Sequence, residues 1–183
     1  LGYRIKLIGQ AKRTTQGIEL GVHPRLVRKE SLFSHIDGVV NAVEIQADGL
    51  GPTFYSGRGA GERPTASAVV ADIIDIARTL DVEPCERVPM TGVQPEARSL
   101  IDYVSREDTE SRFYVRLDAC DQKKAEEIFE GFSIGVELSR LFEDQVIFLL
   151  EKTSFGRFDS ALKKIASESC TRVSPVGLYV FDS

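Results

Sequence analysis

The 183-residue sequence predicts an α+β protein in two parts. Three observations predict it. A glycine-rich loop runs into an amphipathic helix over residues 57–80, and a proline- and acid-rich stretch occupies residues 81–110. Beyond that, apolar spacing switches between strand and helix periods in the order β-α-β-β-α-β. Residues 1–82 therefore read as a sheet covered by one helix, residues 83–108 as a linker and residues 109–183 as a second unit.

In the first part, residues 3–11 and 18–22 read as strands, and His23, just before Pro24, reads as a turn residue. Residues 39–46 (VVNAVEIQ) alternate for part of their length and read as a half-buried strand, bracketed by the turn signals Asp37-Gly38 and Asp48-Gly49. Asn41 is a polar residue inside that apolar strand. A buried amide must be hydrogen-bonded, which makes Asn41 a candidate contact for substrate or cofactor. Residues 52–55 form a short strand leading into Gly57-Arg58-Gly59-Ala60-Gly61. Pro64 is expected at the first helical position. From there Val69, Val70, Ile73, Ile74, Ala77 and Leu80 share one face, with Asp72, Asp75 and Arg78 turned away. A glycine loop entering a helix N-terminus suits an anion, since free N–H groups and the helix dipole converge there. It reads equally well as a tight connection. A G-x-G-x-x-G fingerprint would need glycine at Glu62, and no Gly-Lys-Ser/Thr follows, so neither common phosphate loop fits.

Pro84, Pro89, Gly92 and Pro95 break any period in residues 81–110, where eight acids face three arginines. A loop of that length is unusual inside a compact domain and puts a boundary near residue 105. Residues 112–118 then read as a strand, with Phe113, Val115 and Leu117 alternating against Tyr114 and Arg116. Residues 122–129 read as a helix with Ala125, Ile128 and Phe129 inward. Residues 133–141 and 145–151 are strands, residues 158–167 a helix with Leu162, Ile165 and Ala166 inward, and residues 172–181 a closing strand. That order is the ferredoxin-like split βαβ arrangement. Strands 112–118 and 133–141, rich in β-branched and aromatic residues, are expected to offer edges for a symmetric homodimer.

Charge and composition narrow the classes. Residues 1–80 hold ten basic and eight acidic side chains, residues 81–183 thirteen and twenty. An acidic second half without a basic patch argues against nucleic acid. No apolar run approaches the ~18 residues of a membrane span, and no signal peptide is visible. Cys85, Cys120 and Cys170, odd in number and widely spaced, suit reduced thiols in the cytoplasm. His23 and His35 have no metal-ligand spacing, so no metal site is expected. Asp72 with Asp75, Lys12 with Arg13, and the pairs Lys123-Lys124 and Lys163-Lys164 read as solvated faces.

Three blocks in order, IKLIGQAKR at residues 5–13, VHPRLV at 22–27 and HIDGVVNAVEIQADGLGPTFYSGRGAGERPTASAVVADIIDIAR at 35–78, resemble the late catalytic segment of homoserine dehydrogenases. The resemblance implies an oxidoreductase that interconverts L-homoserine and L-aspartate 4-semialdehyde with NADP or NAD, on the route to threonine, methionine and isoleucine. By match of motif, Gly57, Gly59, Ala60, Gly61 and Thr65 would border the cofactor. Leu1 begins in mid-pattern, and nothing here corresponds to the family's Rossmann domain or catalytic lysine. The chain is therefore expected to be a carboxy-terminal part of the enzyme, to carry no catalytic residue and to be inactive alone. Residues 109–183 resemble an ACT domain, an amino-acid-sensing module. Of its Asp-x-Pro-Gly turn only Asp118 is matched, since Ala119, Cys120 and Asp121 follow. Asp118 is carried over as an effector contact, with threonine binding expected weak or absent. The alternative is a non-catalytic amino-acid-sensing and oligomerisation module.

Overall fold

A computed structural model describes residues 2–82, 102–168, 170–172 and 178–181. Most of the linker expected at 83–108 lies outside these residues, as does Cys85. The chain divides into two compact units, Leu1–Ser31 with Ile101–Ser183, and Leu32–Leu100. This differs from the division expected near residues 82 and 108, because the first two strands join the sheet built by the last ones.

In the first unit, β1 (Tyr3–Thr14) and β2 (Gly17–Arg28), twelve residues each, form an antiparallel hairpin around Thr15-Gln16. β2 continues through His23-Pro24, so His23 is a strand residue. Proline is tolerated because β9 (Leu178–Phe181) pairs with β2 only from Arg25 onward, so the missing N–H breaks no bond to that strand. Along its earlier part β2 receives another segment instead: Ile18 donates to the Asp102 carbonyl at 2.9 Å, and Val104 donates to that of Ile18 at 3.0 Å. Gly17, at φ 140°, is obligatory there, since a Cβ would sit 2.3 Å from the Asp102 oxygen.

The remaining elements are β5 (Glu110–Cys120), α2 (Gln122–Gly131), β6 (Val136–Phe142), β7 (Gln145–Ser154), α3 (Phe155–Glu168), β8 (Cys170–Arg172) and β9 (Leu178–Phe181). The β-α-β-β-α-β order expected for residues 109–183 is the observed one, with the last strand in two pieces. The sheet runs β1-β2-β9-β5-β7-β6, and β8 also pairs with β5. The expected dimer edge at residues 112–118 is corrected by this order. β5 lies between β7 on one side and β8 and β9 on the other, whereas β6 stands at one end of the path.

Alternation decides the faces. Phe113, Val115 and Leu117 of β5 and Val146, Phe148 and Leu150 of β7 are buried with Ala125, Ile128 and Phe129 of α2 and Phe158, Ala161 and Ile165 of α3. Phe113 stacks on Phe158 with ring centroids 4.1 Å apart. On the opposite face Leu26, Leu149 and Val180 form a smaller cluster. Helix α2 starts at Asp121, whose carboxylate accepts from the Lys123 N–H at 3.0 Å and the Lys124 N–H at 3.4 Å.

The second unit contains a 3-10 turn (Leu32–His35), the hairpin β3 (Val40–Ala47) and β4 (Gly51–Arg58), and α1 (Glu62–Arg78). The helix expected from Pro64 onward is present as α1, yet none of its residues is buried: Val69, Val70, Ile73, Ile74 and Ile76 are exposed. Its hairpin has only two strands, so within this unit the apolar stripe of α1 remains uncovered among the described residues. No helix among the described residues is long and apolar enough to cross a membrane.

Candidate functional site

The strand expected at residues 52–55 runs on through Gly57 and Arg58, so Gly59-Ala60-Gly61 form the hinge between β4 and α1, and strand register sets their neighbours. β3 and β4 pair with Asn41 opposite Gly57. One residue beyond β4, the Gly59 N–H donates to the Val39 carbonyl at 2.8 Å, closing the open end of the hairpin. The Asn41 amide lies over Gly59. A Cβ built on Gly59 would fall 1.9 Å from Asn41 Nδ2 and 2.6 Å from its Cγ. Residue 59 must therefore lack a side chain for as long as Asn41 keeps this position.

The three glycines serve different ends. Gly57 has open space where its Cβ would be, so nothing steric demands glycine there. Gly59 answers a close approach and needs no left-handed backbone. Gly61 alone has a left-handed φ, 122°, and is the N-cap of α1. The expected placement of Pro64 is corrected by two positions: the helix begins at Glu62, and Pro64 is its third residue. Proline is still accommodated, because N–H groups in the first turn have no intrahelical acceptor. Gly61 supplies no side-chain cap, and Thr65 donates to the Gly61 carbonyl at 3.1 Å as the first regular helical bond. The N–H groups of Glu62 and Arg63 are thus the ones that this terminus presents.

Gly57, Gly59, Ala60, Gly61, Thr65 and Asn41 are all exposed, and the fold brings them together on one short stretch. The expectation of a buried Asn41 is corrected. As an edge residue of a two-stranded hairpin it covers a glycine rather than entering a core. Asp118 is also placed differently from a turn residue. It lies within β5, three positions before the N-cap Asp121, with its carboxylate 4.0 Å from Arg116 Nε on the same strand. The capping role of Asp121, which helix-start chemistry could have signalled, went unread in the sequence.

The homoserine dehydrogenase family model matches residues 1–74, which contain the whole loop. A homoserine dehydrogenase of Neisseria gonorrhoeae is 48% identical over 193 residues, covering 100% of this chain and 44% of that protein. Its counterpart in Pseudomonas aeruginosa is 46% identical over 121 residues, 66% of this chain and 28% of that one. The crystal structure of a homoserine dehydrogenase from Thiobacillus denitrificans matches 99% of this chain and 43% of its own, with a TM-score of 0.86 at 35% identity. The chain thus spans less than half the length of these relatives. With its glycine-loop segment inside the matched region and its whole length aligned to such proteins, it belongs to the homoserine dehydrogenase family.

Proposed function

We propose that the chain is the carboxy-terminal part of an NAD(P)-dependent homoserine dehydrogenase, interconverting L-homoserine and L-aspartate 4-semialdehyde on the route to threonine, methionine and isoleucine. One observation carries this reading. Gly59 lies under the Asn41 amide, and the backbone then turns at Gly61 into an uncapped helix N-terminus. Such an end favours an anionic group, and the bare Gly59 backbone admits a close neighbour. These features fit the phosphates of a dinucleotide. Gly57, Gly59, Ala60 and Gly61 would hold it through the main chain, and Thr65 through its exposed hydroxyl. A nicotinamide, when bound, supplies the hydride chemistry. Asn41 is assigned to fixing the path of the loop, in place of a direct substrate contact.

The uncovered apolar stripe of α1 and the greater length of the relatives support a sheet completed by further chain. The 183 residues alone are then expected to be inactive, since interactions specific to the transition state would come from elsewhere. The β-α-β-β-α-β unit favours an accompanying role as an ACT-like amino-acid-sensing and dimer-forming module in the cytoplasm, with β6 as its pairing edge and Asp118 beside the effector. If that role stands alone, the chain is a non-catalytic module.

Homoserine-dependent reduction of NAD(P)⁺ decides between the two. Activity is expected from the protein at the length of its relatives, and none above background from the 183 residues. No activity at full length would leave the non-catalytic reading; turnover by the 183 residues would overturn the expected division of parts.

A further inference from the structure

The unit formed by residues 1–31 and 101–183 contains a cavity of about 160 Å³, away from the glycine loop, lined by His23, Arg25, Arg106 and Tyr179 together with Glu19 and Thr109. Strand pairing builds one wall. The parallel register sets Arg25 beside Tyr179, and His23, two positions back on β2, lies on the same face. The His23 ring stacks on that of Tyr179, centroids 4.3 Å apart, and the Arg25 guanidinium carbon lies 5.3 Å from the Tyr179 ring centre. Gly21, also on this face, leaves room for the imidazole: a Cβ there would meet His23 Nε2 at 2.7 Å. Arg106 reaches the cavity with its guanidinium 4.1 Å over the Phe155 ring. A guanidinium attracted to a ring face can still donate from its N–H groups.

Two polar atoms here are buried and unmatched. Arg25 and Tyr179 are only 8% and 6% exposed. Arg25 Nε and the Tyr179 hydroxyl have no hydrogen-bond partner among the described residues. Buried donors without acceptors are rare and call for a ligand or water. Two guanidiniums stand against one carboxylate, Glu19. The resulting positive field reaches His23, whose basicity is lowered by burial and then by Arg25 and Arg106.

We propose that this cavity binds a small, singly charged oxyanion, a carboxylate or a monoanionic phosphate, through the guanidiniums of Arg25 and Arg106. Charge-assisted bonds from planar guanidiniums suit both chemistries. Glu19 works against a second negative charge, and a cavity this small excludes a dinucleotide, whose sites run to about 300 Å³ and above. The site is independent of the cofactor reading.

Thermal unfolding of the 183-residue chain, titrated separately with acetate and inorganic phosphate at constant ionic strength against chloride, tests it. The same titrations are followed at the arginine Nε–H resonances. A saturable rise in Tm beyond chloride is expected, with the Arg25 Nε–H signal shifting along the same curve. The more effective anion identifies the source. Arg106 is exposed, so Arg106→Gln leaves the fold intact and should weaken binding on the order of tenfold, with Arg106→Lys in between. Failure of both anions to give a saturable effect, or unchanged affinity in Arg106→Gln, overturns the proposal.

Discussion

Replacing Gly59 by alanine is the sharpest perturbation of the loop, because its consequence follows from one contact. The added carbon would lie 1.9 Å from Asn41 Nδ2, whereas non-bonded heavy atoms prefer about 3.5–4 Å. One of the two groups must move. Gly59 is held by its bond to the Val39 carbonyl, while the Asn41 side chain is exposed, so it is the group expected to move. Forcing Asn41 off its preferred rotamer costs on the order of 1 kcal/mol, so the fold should survive. If the Asn41 amide sets the course of the loop, NADP⁺ affinity should fall about tenfold, equivalent to ~1.4 kcal/mol. Asn41→Ala should produce a similar loss, and the double variant no more than either single one, since the overlap is then gone. Calorimetric titration of the four proteins, each at the length of the family's members, gives the cycle. Unchanged affinity in Gly59→Ala, or losses that simply add, would refute the assignment of Asn41 to the loop.

The cap and the half-buried His23 give two more expectations. Asp121→Ala removes the side-chain N-cap of α2 and should cost about 1 kcal/mol, lowering Tm by roughly 2–4 °C, with Asp121→Asn close to the parent. Burial first, then Arg25 and Arg106, hold the His23 pKa below its ordinary 6.5. The unfolded chain therefore binds more protons than the fold as pH drops below 6.5, so stability is highest above that value and declines beneath it. Thermal melts stepped from about pH 7.5 to 5.5 should show this decline, and His23→Gln should flatten it. An unaltered slope in His23→Gln would assign the effect to other groups.

What could be read from residues alone follows the range of the interactions. The β-α-β-β-α-β order was legible because each element carries its own period. Phe113, Val115 and Leu117 are buried on one face as alternation requires, and Ala125, Ile128 and Phe129 form the inner side of α2 as helical spacing requires. α3 begins at Phe155, and Phe158 and Ala161 replace Ala166 on its inner side. There, two apolar stripes were available and packing chose between them. The joining of β2 to β9 was not legible. It rests on three residue pairs, Arg25 to Tyr179 through Val27 to Phe181, more than 150 positions apart in sequence, and no local signal announces such a pairing. Pro24 hid the continuation of β2, because its tolerance depends on where the neighbouring strand ends. In the site, glycine spacing marked the turn into α1, although Gly57 and Arg58 belong to β4. The reasons for glycine at 59 and at 61 are a close approach and a left-handed φ respectively, and only three-dimensional neighbours distinguish them.

Under the proposed function, NADP⁺ would be held along the segment from Gly57 to Thr65. Hydrogen exchange with and without NADP⁺, on the protein at the length of the family's members, tests it most directly. Slowed exchange in peptides covering residues 57–65, strongest at the amides of Glu62 and Arg63, is the predicted result. Saturating NADP⁺ that protects other segments while leaving residues 57–65 unchanged would contradict it.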